Sequence, residues 1–269
     1  MNAGQDTFRA TGVITLTTDF GLDDPFVGIV KGVIARRCPN LSVIDLCHKV
    51  PPFRAEIGGL WIGLSYRWFA PGSVHVAVVD PGVGTDRRIV CLQAGEHLFL
   101  VPDNGLAGEL TRHLDRWSAR ALEPEKLSLD SPSPTFHGRD IFAPVAAMLA
   151  AGELAPEVLG RPVDDLTPSA LPRPRLDKDD IFGEILLSDR FGNLFSNIAG
   201  PVPAAWDGAR VTIENHSMRL VRTYDEARSG EFVAIFNSFG LLEIALPRGN
   251  AQAAGQWPPG THVRLSRTS

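Results

Sequence analysis

The first half of the sequence alternates short β-branched runs with segments of helical apolar spacing, and this alternation limits the possible folds more than any single motif does. The strand-like runs are 12–18, 41–46, 73–79, 87–94 and 97–102, and the helix-like segments are 26–37, 53–69 and 138–151. The run 73–79 is apolar at nearly every position, as expected of a strand that is buried on both faces. The pattern predicts an N-terminal α/β sandwich, residues 1–153, with a largely parallel sheet.

The second half has a different composition. Residues 154–178 are rich in proline and lack periodicity, which predicts a linker. After it only strand-like runs follow, and turn residues separate them at short intervals. The sequence therefore predicts a smaller antiparallel, barrel-like β domain over residues 179–269.

Composition narrows the class of partner. The hydrophobic fraction of 44%, the charged fraction of 21% and the net charge of −5 are those of a folded soluble protein with no basic surface for nucleic acid or anionic membranes. The N-terminus has no apolar core of signal-peptide length, and no apolar run approaches ~20 residues. Cys38, Cys47 and Cys91 fit no metal-binding spacing, so reduced cysteines in a cytoplasmic protein are expected. Small molecules become the expected substrates.

Two acidic loops follow the first and third predicted strands. They begin at Asp19 and Asp80, and ligands favour the carboxyl ends of parallel strands. The loop "VVDPGVGTDRR" resembles a phosphate loop, but it lacks both GxxxxGK[ST] and GxGxxG, and Pro81 removes a backbone donor. Its Gly-rich turn instead predicts that Arg87 folds back onto Asp80, either as a functional pair or as an ion pair that only holds the loop.

The remaining polar motifs each allow two interpretations. Asp19, Asp23 and Asp24 in "TDFGLDDP" could bind the paired hydroxyls of a ribose, while Asp23 or Asp24 could instead cap the helix that follows Pro25. His137, just before the 138–151 helix, is either structural or catalytic.

Three polar residues of the second half also allow two interpretations. Asp189, Asn193 and Ser238 could bind the ammonium and carboxylate groups of an amino acid. They could also simply form turns.

Taken in order, six motifs make the chain recognisable. They are "TTDFGLDDPFVG", "DLCHKVPPFRAEIGG", "VVDPGVGTDRR", "FHGRD", "SDRFGNLFSN" and "NSFGLLEIA". The chain resembles the S-adenosylmethionine (SAM) hydroxide adenosyltransferases, or SAM hydrolases, which are relatives of the fluorinases and chlorinases. The resemblance implies an α/β domain followed by a β domain, and a homotrimer that holds SAM between the first domain of one subunit and the second domain of its neighbour. It implies no cofactor and no metal.

The resemblance also implies roles for individual residues. Asp80, Arg87 and His137 match the Asp-Arg-His set of the hydrolases. The residues implied to bind substrate are Asp19, Asp24, Phe53, Phe136, Asp189, Asn193, Phe195, Tyr224, Ser238, Asn250 and Ala251. Among these, Asp19 would take the ribose hydroxyls and Tyr224 would stack on adenine.

Departures from the halogenases point to water as the nucleophile. Those relatives have a tyrosine at the position of Asp80 and a serine at that of Gly138, and their longer insertion in the first domain is not apparent here. A carboxylate beside a halide site would repel the anion. We therefore expect hydrolysis of SAM to adenosine and L-methionine by in-line attack of water on the ribose 5′ carbon. A module that binds SAM or a nucleoside without turnover, and a SAM-dependent halogenase, are the alternatives.

Overall fold

The computed structural model describes residues 8–127, 129, 133–200 and 208–267. The chain divides into two compact units, Met1–Ala170 and Leu171–Ser269. In the part of the chain that is described, no helix has both the length and the apolar character needed to cross a membrane. All three cysteines are free, and burial raises the thiol pKa of both Cys38 and Cys91.

The first unit contains one seven-stranded sheet with helices packed on it. Its strands are β1 (Val13–Thr18), β2 (Ser42–Cys47), β3 (Val74–Val78), β4 (Ile89–Ala94), β5 (His97–Pro102), β6 (Ser118–Ala121) and β7 (Pro162–Val163). Its helices are α1 (Phe26–Arg37), α2 (Ala55–Ser65), α3 (Leu106–Leu110) and α4 (Ala143–Ala150), and a π-helical turn, Gly138–Phe142, leads into α4.

The sheet order is β2-β1-β3-β5-β4-β6-β7, in which β2, β1, β3 and β5 run parallel and the other three strands pair antiparallel. Ile14 and Val76 face α1 and α4 in one apolar core. Alternate residues point to the opposite face, where Gly58 of α2 approaches Val79. The predicted α/β sandwich with a largely parallel sheet is confirmed. The short strand β7 lies within the range 154–178 that the sequence marks as a linker.

The predicted cap of α1 is wrong. The residue at the N-cap is Pro25, no side chain accepts a capping hydrogen bond, and Asp23 and Asp24 are both exposed. Pro25 already has helical dihedral angles, and its carbonyl accepts the hydrogen bond of Ile29 N–H. Neither carboxylate is therefore used by the helix.

A buried histidine makes the stability of the first unit depend on pH. His75 of β3 is fully buried, contacts Thr15 Oγ1 through Nδ1 at 2.8 Å, and stacks on Phe99. Burial, with a smaller contribution from the charge of His97, lowers the pKa of His75 from 6.5 to about 3.

We expect this histidine to destabilise the fold in acid. The unfolded chain binds a proton near pH 6.5, whereas the folded chain excludes it, so the free energy of unfolding falls as the pH drops from about 6.5 toward 3, by roughly 1.4 kcal/mol per pH unit. Urea unfolding of the wild type and His75→Phe between pH 7 and 4.5 measures this slope. An identical slope in both proteins contradicts the assignment.

The second unit is a β-barrel. Its strands are β8 (Arg175–Asp177), β9 (Asp180–Ser188), β10 (Leu194–Ala199), β11 (Arg210–Ile213), β12 (His216–Val221), β13 (Val233–Phe236), β14 (Leu241–Ala245) and β15 (His262–Ser266). Because β10 pairs with both β14 and β9, the seven strands β9 to β15 close into a ring, and β8 adds to β9 outside it. Trp257 fills the core.

The predicted barrel-like domain is confirmed, with two corrections in detail. The strands β12 and β13 pair in parallel, whereas all other pairs in this sheet are antiparallel. The second half also contains a helix, α5 (Ala251–Gly255), where only strands are expected from the sequence. The Asn250 side chain caps α5 by accepting the hydrogen bond of Ala253 N–H at 2.7 Å.

Candidate active site

A cavity of about 390 Å³ opens at the carboxyl edge of the parallel strands in the first unit, and we call it the first-unit cavity. Thr18, the last residue of β1, pairs with Val78, the last residue of β3, so the loops that begin at Asp19 and Asp80 start side by side. Both carboxylates line the cavity, as the strand pattern predicts. Its volume is in the range that suits a small organic ligand.

The loop after β3 folds back on itself. Val83 N–H donates to Asp80 O at 3.2 Å and Thr85 N–H to Gly82 O at 3.1 Å, so two successive turns shorten the path from Asp80 to Arg87. Gly84 has φ +79°, and a Cβ there would lie 2.2 Å from Pro134 O. A glycine is thus required both by the backbone conformation and by the close approach of the neighbouring segment.

Asp80, Arg87 and His137 form one hydrogen-bonded network. Arg87 Nε donates to Asp80 Oδ1 at 2.9 Å and Oδ2 at 2.8 Å, and Arg87 Nη2 donates to Asp80 Oδ2 at 2.5 Å. The same Nη2 lies 2.8 Å from His137 Nδ1. The predicted return of Arg87 onto Asp80 is confirmed, and the side chains of this ion pair are only 10% and 3% exposed.

The network determines the tautomer of His137. Arginine is only a donor, so His137 Nδ1 must accept, and the ring proton of the neutral histidine is on Nε2. Burial, and then the positive charge of Arg87, lower the pKa of His137 below 6.5. Near neutral pH the ring is therefore uncharged and carries one N–H donor, on Nε2, and His137 lines the cavity.

An aromatic wall and Asp19 complete the first-unit cavity. The rings of Phe20, Phe26 and Phe136 meet edge to face, with centroids 5.5–6.1 Å apart. Phe53 is 73% exposed and has φ +67°, and its backbone N–H donates to Asp19 Oδ2 at 3.2 Å. Left-handed backbone at a non-glycine residue is strained and concentrates at functional sites.

Asp24 differs from the other predicted residues of the first unit. It is exposed and is not among the residues that line the first-unit cavity.

A second cavity, of about 910 Å³, lies in the second unit, and we call it the second-unit cavity. Five of the predicted substrate-binding residues line it: Asp189, Asn193, Phe195, Tyr224 and Ser238. Gly249 is also in its wall, but the next two residues are not, because Asn250 caps α5 and Ala251 is fully buried.

The Asp189 carboxylate shapes one end of the second-unit cavity. Its Oδ1 accepts the backbone N–H groups of Phe191 and Asn193 at 2.9 and 2.8 Å, and its Oδ2 accepts from Asn193 Nδ2 at 3.3 Å. Gly192 between them has φ +85°. Asp189 and Asn193 thus form one hydrogen-bonded turn, as the turn interpretation of this motif predicts, and both residues line the cavity.

Sequence reasoning missed a buried carboxylate in the second-unit cavity. Glu243 of β14 is 2% exposed, and accepts from Tyr224 Oη at 2.6 Å and from Asn237 Nδ2 at 3.1 Å. Burial raises the pKa of Glu243, and both burial and this bond raise the pKa of Tyr224. The available signal was a lone glutamate inside the apolar run "LLEIAL", since buried acids in strands require partners.

The described residues contain no cluster of side chains that could bind a metal ion. Across 8–127, 129, 133–200 and 208–267, no group of three or more His, Cys, Asp or Glu side chains is placed to hold a metal ion.

The fold and the two cavities define a two-domain protein with an α/β N-terminal part and a barrel C-terminal part. Residues 14–160 match the family model described as the SAM hydroxide adenosyltransferase N-terminal domain, and residues 183–264 match that of the C-terminal domain. The chain belongs to the SAM hydroxide adenosyltransferase family. The resemblance stated from the six motifs is therefore confirmed.

Individual relatives agree with this assignment. The chain is 42% identical to the (R)-S-adenosyl-L-methionine hydrolase of Thermus thermophilus over 92% of its own length and 97% of that protein. It is 27% identical to a fluorinase of Nocardia brasiliensis, over 69% of the chain and 71% of the relative. The crystal structure of an uncharacterized conserved protein from Thermotoga maritima has a TM-score of 0.85 and 30% identity, covering 94% of this chain and all of that one.

Proposed function

We propose that this protein hydrolyses (R)-S-adenosyl-L-methionine to adenosine and L-methionine. The observation that carries the proposal is the Asp80–Arg87–His137 network at a cavity of ligand size. The name of the 42% identical Thermus relative, including the (R) configuration at sulfur, supports the choice of substrate.

The chemistry requires little beyond positioning. The sulfonium is already a good leaving group, so water attacks the ribose 5′ carbon in line, the C5′–S bond breaks, and methionine departs as a neutral thioether. The water loses one proton, which passes to solvent. Arg87 and the Nε2–H of His137 donate to the oxygen as it becomes hydroxide-like, while Asp80 holds the guanidinium in place. The phenylalanine wall limits competing water.

The substrate contacts follow from the two cavities. In the first unit we assign Asp19 to the ribose hydroxyls, and Phe53 and Phe136 to the sugar and sulfonium. In the second unit we assign adenine stacking to Tyr224 and Phe195.

The rest of the substrate is assigned to the second unit as well. We assign the methionine end to Asp189, Asn193 and Ser238, and the adenine edge to the backbone near Asn250 and Ala251. Glu243 orients the Tyr224 ring through their hydrogen bond.

We further propose a homotrimer in which a neighbouring subunit completes each site, as the family resemblance implies. A cytoplasmic location and a reaction without a cofactor are proposed with it. Three free cysteines suit a reducing compartment.

A halogenase is disfavoured by the same geometry. The carboxylate of Asp80 lines the first-unit cavity, and Gly138 has no hydroxyl to offer a halide. Phe20 and Phe136 lie 3.4 Å from where a Cβ at Gly138 would be, which is ordinary van der Waals contact, so the glycine packs directly against the aromatic wall. An anion entering beside Asp80 meets like charge.

The deciding experiment incubates the purified protein with separated (R) and (S) epimers of SAM, with and without chloride, and follows adenosine and methionine by liquid chromatography. We expect both products in equal amounts from the (R) epimer, independent of chloride. Chlorinated nucleoside would assign the protein to the halogenases. Binding of SAM without products would favour a binding module and overturn the proposal.

The state of His137 predicts the pH dependence of the reaction. Above its lowered pKa the ring is neutral and accepts from Arg87; below it, Nδ1 is protonated and two donors face each other. We expect kcat to fall on the acid side with a midpoint below 6.5. Rate profiles from pH 4 to 9, with an NMR titration of His137, measure this. In Arg87→Gln the NMR midpoint should rise, because a charge that lowers the pKa is gone. A wild-type midpoint at or above 6.5 contradicts the assigned tautomer and environment.

A further inference from the structure

We propose that Asp103 and Asn104 are positioning residues that hold both ends of the loop 80–87, and through it the Asp80–Arg87–His137 network. The inference rests on the proposed function. Neither residue is among those that line the first-unit cavity, so neither is placed to touch substrate. We call the pair the 103–104 clamp.

The sheet order puts the clamp beneath the loop. The loop leaves β3 and enters β4, but β3 and β4 are not neighbours, because β5 lies between them. Since β5 runs parallel to β3 and antiparallel to β4, the end of β3, the end of β5 and the start of β4 share one edge of the sheet. The loop therefore crosses over the end of β5, and residues 103 and 104 are the first to follow that strand.

Asn104 holds the incoming end. Its Nδ2 donates to the carbonyl of Val79 at 2.9 Å, and its Oδ1 accepts from Leu106 N–H at 3.4 Å. Val79 is fully buried and directly precedes Asp80. The amide thus connects the backbone in front of the catalytic carboxylate to the start of α3.

Asp103 holds the outgoing end. Arg88 donates to Asp103 Oδ2 from Nε at 2.9 Å and from Nη2 at 2.6 Å, and Asp103 N–H donates to the Arg88 carbonyl at 2.9 Å. Backbone and side chain of one residue are therefore both bound to the residue that follows Arg87. The Asp103 side chain is 2% exposed, so water competes little for these bonds.

A third segment, residues 165–167, hydrogen-bonds to both Asp103 and Arg88. Thr167 N–H donates to Asp103 Oδ1 at 2.7 Å, so both carboxylate oxygens are engaged. Arg88 Nη1 also donates to Asp165 Oδ1 at 2.7 Å. The adjacent arginines therefore have separate tasks: Arg87 reaches the network and Arg88 anchors the loop.

Loosening the clamp should affect the chemical step more than binding. The guanidinium of Arg87 must meet Asp80 and His137 at once, and a displacement near 1 Å costs roughly 10²-fold in rate. The bonds within the loop, such as Thr85 Oγ1 to Gly82 O at 2.7 Å, are local and do not attach it to the sheet. We expect Asp103→Asn to lower kcat by about 10- to 100-fold with KM changed less than about threefold.

The matched control is Glu109→Gln. Glu109 is also a buried carboxylate of the first unit, 4% exposed, that accepts from Arg112 at 2.8 Å and Ser169 at 2.6 Å, and it neither contacts the loop nor lines the first-unit cavity. The Glu109→Gln variant should lower the melting temperature about as much as Asp103→Asn does, while kcat stays within about twofold of the wild-type value. Asn104→Ala removes a half-buried amide without disturbing a buried charge, and serves if Asp103→Asn does not fold.

The outcomes separate the two hypotheses. Wild-type kcat in Asp103→Asn or Asn104→Ala, or an equal kcat loss in Glu109→Gln, overturns the clamp. If the wild type does not hydrolyse SAM, the proposed function fails, and NMR of His137 still decides the clamp. A clamped loop keeps Arg87 on Nδ1, so clamp variants should shift the His137 pKa upward and Glu109→Gln should not. An unchanged His137 resonance in the clamp variants refutes the inference.

Discussion

Replacing Asp80 by alanine, or His137 by alanine, is expected to lower kcat for SAM hydrolysis by about 10²- to 10³-fold, the usual cost of losing an aligned hydrogen-bond donor to a developing negative oxygen. Each substitution removes one partner of Arg87, so the guanidinium no longer has the single orientation that both hydrogen bonds impose. The dissociation constant for SAM should change less than about fivefold, because neither side chain is assigned to the adenine or methionine ends.

Stopped single-turnover assays with isothermal titration calorimetry distinguish the two quantities. Asp80→Ala leaves the Arg87 side chain, which is only 10% exposed, without its carboxylate partner, and this alone destabilises the fold. Asp80→Asn keeps the shape of the side chain and is therefore measured as well. Asp86→Asn is the control, since Asp86 is exposed and next to Arg87 in the same loop. Wild-type turnover in both alanine variants would show that the network is only an ion pair that holds the loop.

Asp19→Asn is expected to show the opposite pattern, with weaker binding and little change in the chemical step. The Asp19 carboxylate lines the first-unit cavity and already accepts from Phe53 N–H. Losing its charge removes charge-assisted bonds to a ribose diol, each worth about 1.5–3 kcal/mol, so affinity for SAM should fall roughly 10- to 100-fold.

The affinity for SAM must be measured in a protein that does not consume SAM during the titration. Titrating SAM into Asp80→Asn and into the double variant Asp19→Asn/Asp80→Asn compares affinities without product formation. Asp23→Asn, an exposed carboxylate in the same loop that caps nothing, is the matched control. An unchanged affinity in the double variant would remove Asp19 from the ribose contact.

Features of the fold that depend on neighbouring residues in the chain could be predicted from the sequence. Helical spacing with two terminal arginines predicted α1 over the residues it occupies, 26–37, and the apolar run 73–79 predicted the buried β3. Because ligands favour the carboxyl ends of parallel strands, the sequence also indicated the loops that begin at Asp19 and Asp80, and both residues line the first-unit cavity. The Gly-rich turn predicted the return of Arg87 onto Asp80.

Errors arose where hydrophobic periodicity carries no signal: at a helix start, in a very short helix, and at a contact between segments. Asp23 or Asp24 was expected to cap α1, yet the N-cap residue is Pro25 and no side chain caps the helix. The helix α5 is five residues long and was missed, because its stability comes from the Asn250 cap and the buried Ala251 rather than from periodicity. Glu243 was missed because its partners, Tyr224 and Asn237, come from other segments.

The sequence by itself determined the strand and helix periods, the class of each unit, and the acidic, basic and aromatic residues available to the site. Only the tertiary structure decided that β5 lies between β3 and β4, that β10 closes the barrel onto β9, and that His137 carries its proton on Nε2. The physical reason is range. The spacing of apolar side chains reports only on residues within one or two helical turns or one strand. The hydrogen bond from Asn104 to Val79 joins residues 25 apart in the chain, and that from Arg87 to His137 joins residues 50 apart. Such contacts depend on the order of the strands in the sheet.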